Sequence, residues 1–176
     1  DVAVVGGGIS GISCAYNLTK AGKSTVVLEA TVLGRGTTGH STAHLTSQHN
    51  IIYSEIVKGF GWNAARLYAK SNEDVIRQVE NISKEEHIDC DYEIQNSYLF
   101  SIQKDKLQKL KDEISVVEKL DIDMYSTNSD KFILPYLYAM CFKNQAVFHP
   151  VKYINGIAEA IVKGGGRIYE NSRVLH

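Results

Sequence analysis

The sequence is short of anything that would staple, anchor or strongly charge it. Its three cysteines, Cys14, Cys90 and Cys141, lie far apart and show no CxxC spacing. That argues against a disulfide framework or a zinc site and fits reduced thiols in a cytoplasmic protein. No apolar run approaches the roughly 18 residues needed to cross a bilayer. No charged segment precedes the first apolar run, as a secretory signal would require. Lys and Arg number 19 against 20 Asp and Glu, a net charge of −1. Nucleic-acid or membrane partners recruited by bulk charge are therefore not expected. There is no internal repeat and no low-complexity linker. No nucleophile–base pairing and no pair of carboxylates stands out, so no catalytic residue is named.

What is present is an ordinary globular composition, 44% hydrophobic and 22% charged over 176 residues. That length suits one domain or two small interleaved ones, with a core of useful size. The chain starts inside a strand-like run, so preceding residues are expected. Val2–Val5 reads as a buried strand, a short β-branched run ended by glycine. Ile9, Ile12 and Tyr16 recur at helical spacing, with Cys14 and Ala15 as small core neighbours, and Ala21-Gly22 closes the helix. Thr25–Glu29 is a second buried strand. A long helix is expected over about 62–87, with Ala65, Tyr68, Asn72, Val75, Val79 and Ile82 on its apolar face. Tyr92–Ile102 reads as one or two strands, and Leu107, Leu110, Ile114 and Val117 mark an amphipathic helix. Residues 138–142 and 146–149 read as a hairpin turning at Lys143-Asn144-Gln145. Pro150 opens a further helix through Ile154, Ile157, Ala158 and Ile161, and Gly164-Gly165-Gly166 ends it. Arg167–Glu170 is a strand, and Val174 is a candidate start for another.

The first 29 residues therefore form a β-turn-α-β unit, and its turn carries chemistry. The pattern G-x-G-x-x-G falls on Gly6, Gly8 and Gly11. Gly6 turns the chain sharply out of the strand. Gly8 removes a side chain where a pyrophosphate must approach, and Gly11 lets the helix pack closely. The helix N-terminus offers free N–H groups and a positive dipole end to phosphate. Alone the pattern is weak, but here it follows a strand, opens a helix, and is answered by Glu29 at the end of the second strand. An acidic side chain there accepts hydrogen bonds from ribose hydroxyls and repels a 2′-phosphate. The unit thus reads as a dinucleotide site, without separating NAD from FAD.

Residues 31–50 have another texture, rich in Gly, Thr, Ser and His. They read as an ordered loop with a short helical segment. The run Gly34-Arg35-Gly36-Thr37-Thr38-Gly39-His40-Ser41-Thr42-Ala43 resembles the flavin-contacting loop of the D-amino-acid oxidase-like FAD-dependent oxidoreductases, which include glycine oxidase and sarcosine oxidase. Phe148-His149-Pro150 through Arg173-Val174 also resembles that family. The extended run 34–48 looks most like a bacterial subgroup that often carries a C-terminal Rieske iron–sulfur domain. The resemblance implies an α/β fold: a Rossmann-like FAD-binding βαβ of the GR2 type, with an inserted α+β part of a substrate domain. The implied division is 1–50 and 150–176 for the FAD-binding part and 51–149 for the insertion. By the same resemblance, Gly6, Gly8 and Gly11 face the pyrophosphate. Glu29 and Ala30 lie by the adenosine ribose, with Arg35 near the adenosine side. Thr37, Thr38 and Gly39 line the path to the flavin, and His40, Thr42 and Ala43 approach the isoalloxazine. Val174 offers backbone contacts to adenine.

The implied reaction is oxidation of a C–N bond in a small amine or amino acid by hydride transfer to FAD. Alternatives are a flavoprotein passing electrons to a downstream Rieske domain, an NAD-binding module, or a non-catalytic Rossmann module. The family's second glycine-rich stretch would follow Val174. The chain therefore reads as the N-terminal part of a longer enzyme, expected alone to bind FAD weakly and to turn over no substrate. His40, His44 and His49 lack a fourth ligand nearby, and no metal is expected. A place for one of them beside the flavin is open, as is a plain hydrogen-bonded loop role for His44 and His49. His149 reads as a helix N-cap, and Tyr98 and Phe100 as packing residues.

Overall fold

The computed structural model describes residues 1–128 and 135–175, and the chain divides into two compact units. Unit 1 comprises residues 1–44, 79–92 and 148–176, and unit 2 comprises 45–78 and 93–147.

Unit 1 is built on three parallel strands, β1 (Val2–Val5), β2 (Thr25–Leu28) and β7 (Arg167–Tyr169), in the order β1-β2-β7. Val4 pairs with Val27, and Val27 with Ile168. Helix α1 (Ile9–Lys20) joins β1 to β2, and α4 (Pro150–Lys163) leads into β7. The two helices pack on each other, burying Ile12, Ala15 and Tyr16 from one and Tyr153, Ile154, Ile157 and Ile161 from the other. Gly22, at φ +74°, ends α1. Pro150 opens α4, and the His149 ring accepts from Lys152 N at 3.3 Å, the cap its position suggested. The Tyr16 hydroxyl donates to Glu86 Oε1 at 2.6 Å. Desolvation first, then that carboxylate, pushes its pKa up to about 12.

Three expectations for this unit are corrected. β1 is not fully buried: it lies at the end of the sheet order, with Val5 65% exposed. Cys14 is exposed rather than a core residue, because the buried stripe of α1 runs through Ile12, Ala15 and Tyr16. No strand starts at Val174, which lies in an irregular, exposed stretch.

The second sheet, which falls in unit 2 except for His44 of β3, has β3 (His44–Leu45), β6 (Tyr138–Val147) and β4 (Glu93–Ser101), in the order β3-β6-β4, with β5 (Met124–Thr127) also paired to β6. The expected hairpin at 143–145 is instead one bulged strand. Gln95 pairs with Gln145 and Ser97 with Phe142, so β6 carries one extra residue where Asn144 stands at φ +55°. The residue types that favour a hairpin turn are those that tolerate a left-handed bulge.

Helix α2 (Tyr53–Glu85) begins nine residues before the expected Trp62 and breaks at Gly61, where φ is +83°. Ala65 and Val79 are buried as expected, joined by Ala69 and Ile76, while Val75, expected on that face, is 46% exposed. With α3 (Leu107–Val117) the helix builds a core of Tyr53, Ala69, Leu110, Ile114, Met140 and Phe142. Inside it Glu113 is fully buried, accepting from the backbone N–H groups of Ile52, Tyr53 and Ser54 at 2.9, 2.7 and 2.8 Å. A carboxylate from α3 thus caps the start of α2, where three donors would otherwise be orphaned. No helix among the described residues is long and apolar enough to cross a membrane.

Candidate functional site

The turn between β1 and α1 has no side chains of its own from Gly6 to Gly8. Gly6 takes φ +105° and its N–H donates to Leu28 O at 2.9 Å. Gly7 is fastened on both sides: its N–H donates to Glu29 Oε2 at 2.7 Å, and its carbonyl accepts from Gly34 N at 3.0 Å. Gly8 is the extended N-cap residue of α1, with no side-chain cap and no acidic residue in the first turn. A Cβ on Gly11 would strike the Gly6 carbonyl oxygen, and one on Gly7 would strike Leu33. The helix therefore starts against bare backbone, with its positive end uncompensated by any carboxylate of its own first turn. That is the arrangement a diphosphate oxygen can enter.

Glu29 closes the base of this turn. Besides Gly7 N, its carboxylate takes Thr31 N at 2.8 Å and Thr31 Oγ1 at 3.0 Å. These bonds, the Gly7 N–H foremost, hold its pKa below the ordinary carboxylate range. A carboxylate has about four acceptor positions, so room is left for a hydroxyl donor. Ala30 beside it is half-buried. The segment after β7 wraps this corner: Asn171 N donates to Thr31 O and Ser172 N to Glu29 O, both at 2.8 Å. Leu33 N donates to Glu170 Oε1 at 2.7 Å. Val174 follows, 42% exposed.

The loop after β2 returns to the turn. Thr38 Oγ1 accepts from Ile9 N at 3.2 Å, placing a hydroxyl at the mouth of α1. Residues Thr37–His40 form a 3₁₀ turn, and the His40 ring lies 2.9 Å from Gly36 O. Gly34, at φ +68°, is buried, and a Cβ on Gly39 would meet its carbonyl. Ala43 takes a left-handed φ of +59° and its carbonyl accepts from Phe148 N at 3.3 Å.

Gly6, Gly8, Gly11, Glu29 and Thr38 are thus brought together at one corner of unit 1. Arg35, Thr37, Gly39, His40 and Thr42 lie on its exposed surface, and Ala43 is half-buried. In unit 2 the His49 ring shares a 2.8 Å hydrogen bond with the Tyr68 hydroxyl, and desolvation lowers its pKa. Gly7, Gly34 and Glu170 escaped the sequence reading. The motif treats Gly7 as a free position, and the Glu170–Leu33 contact spans 137 residues.

The match to known proteins covers the whole chain. Residues 1–176 fit the family model described as DAO, FAD dependent oxidoreductase. The putative Rieske 2Fe-2S iron-sulfur protein YhfW of Bacillus subtilis (strain 168) is 41% identical over 99% of this chain and 34% of its own length. Gamma-glutamylputrescine oxidoreductase of Escherichia coli (strain K12) is 30% identical over 99% of this chain and 42% of its own. Among solved structures, glycine oxidase from Geobacillus kaustophilus superposes with a TM-score of 0.79 at 18% identity, over 99% of this chain and 47% of that one. L-proline dehydrogenase from P. horikoshii superposes with a TM-score of 0.79 at 17% identity, over 99% of this chain and 45% of that one. The likeness of these two structures shows the fold. The chain spans between about a third and a half of the length of these relatives.

Proposed function

The chain belongs to the DAO family of FAD-dependent oxidoreductases, and from that premise we propose that it forms the FAD-binding part of an enzyme oxidising a C–N bond in a small amine or amino acid. The observation that carries the reading is the side-chain-free run Gly6-Gly7-Gly8 leading into α1, with the Glu29 carboxylate at its base. The names of two relatives, gamma-glutamylputrescine oxidoreductase and glycine oxidase, support the substrate class.

In this reading the pyrophosphate lies over Gly6, Gly8 and Gly11, against the N-terminus of α1, with Thr38 donating to it. Glu29 accepts from the adenosine ribose hydroxyls, Ala30 and the Val174 backbone flank the adenosine, and Arg35 closes its outer side. Thr37 and Gly39 line the path to the ring, and His40, Thr42 and Ala43 approach the isoalloxazine. The flavin, when bound, supplies a hydride acceptor for a substrate C–H bond next to nitrogen. Hydride loss from a neutral amine demands no dedicated base at the carbon. The work left to the chain is to orient the ring and keep water from it. Anaerobic mixing of the FAD-loaded enzyme with primary and secondary amines and amino acids tests the reading. Bleaching of the flavin band by members of this panel is expected; an oxidised flavin that no amine bleaches overturns it.

A second reading concerns where the electrons go. The similarity to a putative Rieske protein supports delivery to an iron–sulfur centre, which two cysteines and two histidines would hold. Reoxidation of the reduced flavin by a Rieske partner faster than by oxygen is the expected signature.

A further inference from the structure

Unit 2 has a cleft that the proposed cofactor site does not use. It lies between one side of α2 and the turn after α3, with a volume of about 460 Å³. Ala69 and Leu120, 4% and 2% exposed, give it an apolar floor. Its rim carries four cations, Arg66, Lys70, Arg77 and Lys119, and two carboxylates, Glu73 and Asp121.

The charges are not evenly matched. Asp74 takes Lys70 and Arg77, both at 2.7 Å. Glu73 faces Arg77 at 4.0 Å, and its other oxygen accepts from Ser47 and Gln145. Among the described residues, Arg66 and Lys119 have no carboxylate within ion-pair distance. Both lie instead on the Trp62 indole, at 5.9 and 5.5 Å from the ring centre. Both cations also line the cleft, and an anion entering it offsets their charge.

We propose that this cleft binds a small organic carboxylate, with its charged group held by the cleft-lining Arg66 and Lys119 and its carbon body on Ala69 and Leu120. Arg66 supplies a planar fork that matches a carboxylate, and Lys119 a point charge. The floor favours an anion that carries carbon, whereas Glu73 and Asp121 disfavour one of high charge. The cleft belongs to unit 2 and the dinucleotide corner to unit 1, and carboxylate binding there does not depend on the proposed reaction.

Trp62 is the sole tryptophan of the chain, so its fluorescence reports directly on the two cations. Titrating the chain with butyrate at low ionic strength, against sodium chloride at matched ionic strength, is expected to give a saturable change in Trp62 emission. Arg66→Gln and Lys119→Gln should each weaken it about tenfold, the scale of one charge-assisted hydrogen bond. Lys119→Arg, which keeps the charge, should retain binding, and circular dichroism of each variant checks that it is folded. Inorganic phosphate should bind more weakly than butyrate. No saturable change, a change matched by chloride, or an affinity indifferent to folded Arg66→Gln overturns the site. Phosphate binding as tightly as butyrate overturns its assignment to a carbon-bearing ligand.

Discussion

Glu29 holds its own turn together and, in the proposed site, also receives a ribose. Its bonds to Gly7 and Thr31 exist without any ligand, so the acceptor is pre-positioned and the protein itself fixes its ionised form. Two outcomes follow at this scale. ADP should raise the melting temperature of the chain, whereas ADP carrying a 2′-phosphate should not, because the added charge meets the Glu29 carboxylate. The second outcome concerns pH. The folded-state pKa of Glu29 is depressed, so its stabilising contribution is fully present above the unfolded value. It is lost as pH falls through the folded one. Denaturant melts of the protein and Glu29→Gln should therefore differ most near neutrality and converge below about pH 4. Gly11→Ala drives a methyl into the Gly6 carbonyl. It should abolish ADP stabilisation and lower the melting temperature even without ligand. These residues were legible in the sequence because their spacing is local and their chemistry is specific to glycine and a carboxylate. Gly7 and Gly34 were not: what forbids a side chain at Gly7 is Leu33, brought over it by the loop's return.

At the scale of elements, the informative case is the start of α2. The apolar spacing places the start of the helix near Trp62. The turn from Tyr53 to Phe60 is helical because Glu113, some 60 residues away, satisfies its first N–H groups. No periodicity in 53–60 announces a partner that distant. Glu113→Ala leaves buried donors unpaired and should destabilise unit 2 by about 3 kcal/mol. Glu113→Gln keeps an accepting oxygen but loses the charge, and should cost roughly half as much. Urea melts of both variants check the order. The bulge at Asn144 teaches a related lesson: the local signal for a left-handed residue was readable, but whether it reverses a strand or merely kinks it depends on the partner. β4 runs alongside the whole of β6 and keeps it one strand.

Over the whole molecule, legibility followed locality. In unit 1 the positions of β1, α1, β2, α4 and β7 matched expectation, although β1 is partly exposed, Cys14 lies off the core and no strand starts at Val174, whereas unit 2 hid β5 and the early helix. The two units carry separate cores, one on Ile12, Tyr16, Ile157 and Ile161 and the other on Tyr53, Leu110, Met140 and Phe142. Nucleotide bound at the glycine corner should act first on the former. Hydrogen exchange with ADP present is expected to slow amides of β1, α1 and β2 more than those of β4 and β6. Equal slowing in both would contradict a corner confined to unit 1.

The terminal position of β1 has a consequence for handling the protein. A strand of valines with Val5 65% exposed, and no neighbour on its outer side among the described residues, offers a backbone ladder to any other extended chain. Concentrated solutions of this polypeptide should self-associate edge to edge, and light scattering would detect it. A lysine at Val5, which keeps the strand but charges its rim, should raise the concentration at which particles form.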